Sequence, residues 1–136
     1  MVIDTSAIVA IALNEPDAAE LESQIADDPV RLISTATVHE ATIVLETRLG
    51  DAGGRELDLW LLKVGAEAVP VDAEQIDAAR RAWRRYGKGR HAAGLNYGDC
   101  FSYALAVTRG EPLLFKGEDF AKTDIRRSGE GTRTAL

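Results

Sequence analysis

Short apolar runs and stretches with helical periodicity alternate along the chain. The short runs predict strands at Val2–Ile3, Arg31–Ser34, Ala66–Val71 and Leu113–Phe115. Between the runs, apolar residues recur at the helical spacing i, i+3, i+4 and i+7, as they do at Leu57, Trp60, Leu61 and Val64. Parallel strands joined by such helices need cover on both sides. The pattern therefore predicts an α/β fold with a central parallel sheet covered by helices on both faces.

Capping residues and glycines indicate where the helices begin and end. We expect Thr5 or Ser6 to cap the first helix, and Gly50 to end a helix over Thr35–Leu49. Asp72 is expected to cap a later helix. That later helix should turn its periodic apolar side chains inward, namely Ile76, Ala79 and Trp83.

The region after that helix is rich in glycine. Four glycines between Tyr86 and Gly98 predict a loop. An apolar helix over Asp99–Arg109 should follow it. In parallel α/β sheets, ligands gather beyond the carboxyl ends of the strands. The residues that follow each strand are therefore the first candidates for function.

Length and composition limit the class of protein. A chain of 136 residues fits one domain, which we place at residues 1–125, with 126–136 expected to be a mobile tail because it lacks periodicity. The longest apolar run, Ala7–Leu13, falls far short of the roughly 20 residues of a membrane helix. The single cysteine, Cys100, excludes an intrachain disulfide and multi-cysteine metal sites. We expect a cytoplasmic protein with no membrane partner.

Charge is distributed unevenly along the chain. The formal net charge is −6, and the first 30 residues contain acids but no Lys or Arg. The segment between Asp77 and Asp99 has the opposite character, with bases and no acid. Such a basic strip on an acidic chain can hold phosphates, so we expect it to contact an RNA backbone. Its candidate residues are Arg80, Arg84, Arg85, Lys88 and Arg90.

Carboxylates follow the predicted strands. Asp4 ends the first strand, Asp119 lies just beyond the last one, Asp99 opens the apolar helix, and Glu40 lies early in the helix after the second strand. Singly, each could be a helix cap or a solvated surface residue. Together at one sheet edge, they would repel each other unless a cation lies among them. A hard ion such as Mg²⁺ or Mn²⁺ suits oxygen ligands of this kind.

Several sequence blocks resemble one known family. MVIDTSAIVAIALNEP, TVHEATIVLE, RRYGKGRHAAGLNYGDCFSYALA and PLLFKGEDFAKTDI are closely similar to VapC-type PIN-domain toxins, and the likeness extends from Met1 to about Ile125. The resemblance implies a PIN-like domain that acts as a Mg²⁺- or Mn²⁺-dependent endoribonuclease. It also implies neutralisation by a VapB-like antitoxin and a homodimeric state.

The same resemblance assigns residues to roles. Asp4 of DTS and Asp99 of NYGDC match the family's principal metal-binding acids, Glu40 of VHEA matches its central glutamate, and Asp119 of KGEDF matches its fourth acid. Glu118 stands beside Asp119 where this subgroup more often has a neutral amide. We expect Ser6 to support a metal ligand or its water, as hydroxyls commonly do at metal sites.

Other interpretations remain open at this stage. A receiver-like signalling module would also carry acids and Mg²⁺ at strand ends, although no strand ends in an isolated phosphoacceptor. A catalytically silent PIN domain that only binds RNA or protein is a third possibility. Leu59 and Leu62 lie off the inward stripe of their helix, which favours a subunit or antitoxin contact there.

Overall fold

The computed structural model describes residues 1–130. Its strands are β1 (Val2–Ile3), β2 (Leu32–Ser34), β3 (Glu67–Val69) and β4 (Leu113–Leu114). Its α-helices are α1 (Thr5–Ala12), α2 (Ala18–Asp27), α3 (Thr35–Leu49), α4 (Asp51–Val64), α5 (Ala73–Tyr86) and α6 (Tyr97–Arg109). A short 3₁₀ helix covers Phe120–Lys122. The predicted order of strands and helices is confirmed. β1 has its predicted bounds, and the other three strands are shorter than predicted.

The four strands form one parallel sheet in the order β3-β2-β1-β4. Val2 pairs with Leu32 on one side and with Leu113 on the other. The chain therefore moves outward from β1 to β3 and then returns to the free side of β1 to form β4. Such a reversal opens a crevice at the carboxyl ends of β1 and β4, the neighbouring strands between which the order reverses. Asp4, directly after β1, lies at this point.

Alternate residues of the strands face two separate apolar cores. Val2, Leu32 and Leu113 belong to the core that packs against α5 and α6. Ile3, Ile33 and Leu114 belong to the core formed with α1 to α4. Because neighbouring strand residues point to opposite faces, this alternation buries both sides of the sheet. The predicted α/β fold with helices on both faces is confirmed.

One helix packs differently from its predicted face. In α5 the buried side chains include Ala78, Ala79 and Ala82, whereas Ile76 and Trp83 are each 40% exposed. The prediction that Ile76 and Trp83 face inward is wrong. The small alanines allow α5 to approach α6 closely, and this leaves the larger side chains at the rim of the contact. Asp72 caps the helix as expected, by accepting a hydrogen bond from the Gln75 backbone N–H at 2.9 Å.

The last described residues pair with β4. The Leu113 backbone N–H donates to the Arg126 carbonyl at 2.9 Å, and the Ser128 N–H donates to the Leu113 carbonyl at 2.8 Å. The remainder of the expected tail, residues 131–136, lies outside the described residues. Within residues 1–130, no helix has the length and apolar character needed to cross a membrane.

Candidate active site

Asp4 is held on both of its carboxylate oxygens at the end of β1. The Ser6 backbone N–H and hydroxyl donate to Oδ2 at 3.0 and 2.7 Å, and the Ser102 hydroxyl donates to Oδ1 at 2.6 Å. The first of these bonds makes Asp4 the cap of α1, so the expectation that Thr5 or Ser6 caps this helix is wrong. Asp4 is 3% exposed. Among the described residues, its carboxylate accepts hydrogen bonds from neutral donors only.

Ser6 links Asp4 to the end of the neighbouring strand. Its hydroxyl donates to Asp4 and also accepts a hydrogen bond from the Lys116 backbone N–H at 3.0 Å. Lys116 follows β4, so this hydroxyl joins the segments beyond β1 and β4 across the crevice. This geometry fits the supporting role expected for Ser6, and that role stays a prediction.

Asp99 lies in the first turn of α6, which begins two residues before the predicted start. The Asn96 side chain accepts from the Asp99 N–H at 2.9 Å, and the Asp99 Oδ2 accepts from the Asn96 N–H at 2.9 Å. This reciprocal capping box explains the earlier start, because Asn96 satisfies backbone donors that would otherwise be unpaired. It also fixes the orientation of the Asp99 carboxylate.

The electrostatic surroundings of Asp99 are those of a crowded acidic site. Burial is the largest effect, and it raises the pKa of the Asp99 carboxyl to about 6 although the Asn96 backbone hydrogen bond acts to lower it. The nearby carboxylates of Asp4, Glu40 and Asp119 contribute to the rise in that order. Asp4, Glu40 and Asp119 therefore all lie within electrostatic reach of Asp99.

Glu40 reaches the same edge of the sheet from α3. Its carboxylate accepts a hydrogen bond from the Thr5 hydroxyl, which belongs to the first turn of α1. It also lies against Gly98, where a Cβ atom would overlap both of its oxygens. The absence of a side chain at Gly98 is therefore what allows the Glu40 carboxylate to lie beside the N-terminus of α6.

Asp119 occupies a more open position than the other acids. It precedes the 3₁₀ helix and is exposed, and its side chain makes no capping hydrogen bond there. Its neighbour Glu118 is exposed as well. Of the three carboxylates that raise the pKa of Asp99, Asp119 has the smallest effect.

The donor set is suited to a hard divalent cation that keeps part of its water shell. The acids present only oxygen atoms, which Mg²⁺ and Mn²⁺ prefer. Within residues 1–130, no three side chains of His, Cys, Asp or Glu lie close enough together to enclose an ion directly. Mg²⁺ usually binds through one or two carboxylates and retains several waters, so a donor set of this chemistry suits a hydrated ion.

The predicted RNA-binding residues lie on the surface of α5 and the loop after it. Arg80, Arg84, Arg85, Lys88 and Arg90 are all exposed. Arg80 and Arg84 line a cavity of about 470 Å³ between α5 and α6, together with Trp83, Tyr97 and Phe101. Arg85 is 3.6 Å from Asp124, and the Arg90 guanidinium lies over the Trp83 ring at 5.8 Å. The strip thus combines cations with exposed aromatic rings beside the helix that carries Asp99.

Two buried hydroxyls that the sequence does not predict to be functional lie next to Asp4: Ser102 contacts it directly, and Thr37 contacts Ser102. Ser102 donates to Asp4, and the Thr37 hydroxyl lies 3.2 Å from the Ser102 hydroxyl. A signal was available in the sequence, since Ser102 follows Asp99 by three residues and Thr37 precedes Glu40 by three. At this spacing each hydroxyl shares a helix face with an acid.

His91 and Cys100, two residues with potentially reactive side chains, make packing and hydrogen-bond contacts outside the group of acids. The His91 ring nitrogen Nδ1 accepts a hydrogen bond from the Ala93 N–H at 2.9 Å, and its ring packs edge-on against Tyr86. Burial, followed by the effect of the Asp99 carboxylate, raises the pKa of the Cys100 thiol to about 11. This thiol is therefore protonated and unreactive at neutral pH.

Comparisons with known proteins show which family the chain resembles over most of its length. The PIN domain family model matches residues 1–126. Ribonuclease VapC of Mycolicibacterium smegmatis is 66% identical over 125 residues, which cover 92% of this chain and 97% of the relative. Ribonuclease VapC30 of Mycobacterium tuberculosis is 61% identical over 125 residues, with 92% and 95% covered.

A solved structure has the same fold. The VapC20 toxin of Mycobacterium tuberculosis, described as cleaving the sarcin-ricin loop, matches with a TM-score of 0.75 over 91% of this chain and 95% of its own. The two sequences are 18% identical, so this likeness concerns the fold alone.

Proposed function

The chain belongs to the PIN-domain family and, within it, to the VapC ribonucleases. We therefore propose that it cleaves RNA, at a site built from Asp4, Glu40, Asp99 and Asp119. It would act as the toxin of a toxin–antitoxin pair. The family match removes the reason to prefer a receiver-like phosphoacceptor. The three carboxylates that raise the pKa of Asp99 argue against a catalytically silent domain.

The observation that carries this proposal is the meeting of three acid-bearing elements at the switch point of the sheet. Ser102 of α6 donates to Asp4 after β1, and Thr5 of α1 donates to Glu40 of α3. The Glu40 carboxylate in turn lies against Gly98 in the first turn of α6. These contacts support a site in which the carboxylates are oriented before substrate binds.

Asp4, Glu40 and Asp99 would hold a divalent ion, Mg²⁺ or Mn²⁺, with Asp119 at the open side. When bound, such an ion supplies an acidified water and stabilises the negative charge that develops on the phosphate. The protein's own contribution is to fix the acids. Asp4 is held on both oxygens, Asp99 by its capping box, and Glu40 by the Thr5 hydroxyl. Ser6 would keep the Asp4 carboxylate in place as the substrate arrives.

A direct test compares RNA cleavage by the wild type and by the Asp4→Asn/Asp99→Asn variant, with Mg²⁺, with Mn²⁺ and with EDTA. We expect cleavage by the wild type with metal only, and none by the variant. Cleavage by both proteins would point to a contaminating nuclease. A wild type that neither cleaves any RNA in a varied panel nor binds Mn²⁺ in calorimetry would contradict the proposal.

The basic strip would hold the RNA backbone next to these acids. Its exposed Arg and Lys side chains suit phosphates, and Trp83 and Tyr97 suit stacking with unpaired bases. We expect the Arg84→Ala/Arg85→Ala variant to bind an uncleavable RNA more weakly and with a smaller salt dependence. Arg109→Ala, which changes an exposed arginine at the opposite end of α6, is the matched control. Equal affinities and salt dependences in both variants would remove the strip from the interface.

Two apolar features on the other side of the molecule would serve protein partners. Leu59 and Leu62 on α4 are 65% and 80% exposed. A cavity of about 540 Å³ lies between α1, α3 and α4, with Glu22 and Glu56 at its edge. An antitoxin segment with an apolar face and basic flanks would fit this cavity. The two leucines would contact the antitoxin or a second copy of the chain in a homodimer.

The Leu59→Asp variant tests this assignment of α4. We expect a lower mass in sedimentation or weaker binding of a VapB-type antitoxin encoded with the toxin. Asp58→Asn, an exposed change one residue away, is the matched control. If Leu59→Asp changes neither mass nor antitoxin binding, the surface around Leu59 is not an interface.

A further inference from the structure

Ser102 and Thr37 form a buried pair of hydroxyls beneath the acidic site. Ser102 is fully buried and Thr37 is 1% exposed. They lie on α6 and α3, the helices that carry Asp99 and Glu40, one turn away from each acid. Their neighbours along these helices are buried apolar residues, among them Ala41 and Leu105. A hydroxyl in such surroundings destabilises the fold unless it is hydrogen-bonded.

The direction of these hydrogen bonds follows from counting protons. A serine hydroxyl has one proton, and an ionised carboxylate can only accept. The Ser102 proton is directed to Asp4 Oδ1, at 2.6 Å. The 3.2 Å contact between Thr37 and Ser102 must therefore have Thr37 as the donor. The chain of donation runs from Thr37 to Ser102 and on to Asp4, and each bond polarises the next.

From this arrangement we infer that Ser102 is a positioning residue for Asp4 and that Thr37 acts through Ser102. Ser6 restrains Oδ2 from the side of α1, and Ser102 restrains Oδ1 from the side of α6. With both oxygens held, the plane of the carboxylate is fixed. The inference rests on the proposed metal site, because its benefit is a carboxylate oriented before a cation binds.

The test measures the dissociation constant of Mn²⁺ alone for the full chain, by the free-ion signal in electron paramagnetic resonance. We expect Ser102→Ala to weaken Mn²⁺ binding by roughly 10-fold, and Thr37→Val by about 3-fold. Ser102→Cys fills the space of the hydroxyl with a slightly larger group that is only a weak donor, so it should weaken binding nearly as much as Ser102→Ala without leaving a cavity. Thr47→Val removes an exposed hydroxyl that donates only within α3, at 2.7 Å to Ile43, and should have no effect.

The double variant Thr37→Val/Ser102→Ala decides the order of action. If Thr37 acts through Ser102, the double variant should bind Mn²⁺ as Ser102→Ala does. A full additional loss from Thr37→Val in the Ser102→Ala background would overturn the relay. Such coupling in metal affinity separates positioning from a general effect on folding, which thermal unfolding of the same variants reports.

The remaining outcomes separate this inference from the proposed function. If Asp99→Asn abolishes Mn²⁺ binding while folded Ser102→Ala and Ser102→Cys bind as the wild type does, the site stands and the role of Ser102 is refuted. If the wild type itself takes up no Mn²⁺, the proposed metal site fails, and the inference fails with it.

Discussion

Acidic side chains at the two edges of the sheet have opposite surroundings. At the edge where the strands begin, Asp28 and Glu111 each lie 2.8 Å from the Met1 ammonium group. At the edge where the strands end, none of the four site acids lies within ion-pair distance of a Lys, Arg or amino terminus among residues 1–130. Hydroxyls and backbone N–H groups hold three of them instead.

The pKa values of two carboxyls express this difference. The pKa of Asp28 is lowered, because hydrogen bonds from the Met1 ammonium group and the Val30 N–H outweigh the effect of burial, which acts to raise it. The pKa of Asp99 is raised to about 6 by burial and by the neighbouring acids. At the edge where the strands begin, the acids already have a cationic partner. At the edge where the strands end, the crowded acids favour binding of a cation. Acids without an ion-pair partner, most of them held in fixed orientations, therefore distinguish the edge at which we propose the active site.

The largest expected contrast is in RNA cleavage. Asp99→Asn should reduce cleavage by more than roughly 100-fold, because it removes a proposed metal ligand. Asp28→Asn should leave cleavage within twofold, because Asp28 lies at the other edge. Initial rates on one RNA with saturating Mg²⁺ measure both. A similar loss in the two variants would mean that the edges are not functionally distinct.

The next contrast is in stability. Arg31 donates to the carbonyls of Ile25 and Asp28 at the end of α2 and to that of Val64 at the end of α4, at 2.8 to 2.9 Å. Arg31→Ala should lower the free energy of unfolding by about 2 kcal/mol, because it leaves these helix ends without their donor. Denaturant unfolding measures the change, with exposed Arg55→Ala as the control. We expect unchanged Mn²⁺ affinity, and a loss of affinity would mean that the edges are linked.

A smaller effect is expected at Gly98. The Gly98→Ala variant should cleave RNA roughly 10-fold more slowly, because the new Cβ displaces the Glu40 carboxylate. In a Glu40→Ala background the same change should instead stabilise the protein by about 1 kcal/mol, since alanine favours a helix over glycine. Thermal unfolding of the four proteins forms a double-mutant cycle. A purely additive cycle would show that Gly98 and Glu40 do not constrain each other.

The smallest expected effect is the pH dependence of stability in metal-free protein. The folded pKa of Asp99, about 6, exceeds the 3.8 of an aspartate free in solution, so the folded state binds more protons between these pH values. The contribution of Asp99 to stability therefore falls as pH rises from about 4 to about 6. Asp99→Asn lacks this fall and should be more stable than the wild type at pH 7, by about 1 kcal/mol after allowing for partial exposure. A stability difference that is constant across pH 4 to 7 would contradict the raised pKa.

The sequence was a good guide wherever neighbouring residues decide the structure. The helix over Thr35–Leu49 ends at Gly50 as predicted, because a glycine with φ of 73° can adopt the left-handed backbone there. The sequence predicts the start of α6 two residues late, because the capping residue Asn96 lies in a glycine-rich stretch that favours a loop. The predicted inward face of α5 is wrong because its periodic large apolar residues favour burial, whereas close packing against α6 requires small side chains. Ala78 and Ala82 pack where Ile76 and Trp83 were expected.

The candidate site, too, has some properties that neighbouring residues decide and others that they do not. By itself, the sequence determined the order of strands and helices, and it determined that an acid follows β1 and that another opens α6. Both depend on short-range periodicity and capping. Only the tertiary structure decided that Ser102 holds Asp4 across 98 positions of sequence, that Glu40 lies against Gly98, and that the pKa of Asp99 is raised. These properties arise where separate elements pack together, because burial and charge repulsion depend on distances in space that local sequence patterns do not contain.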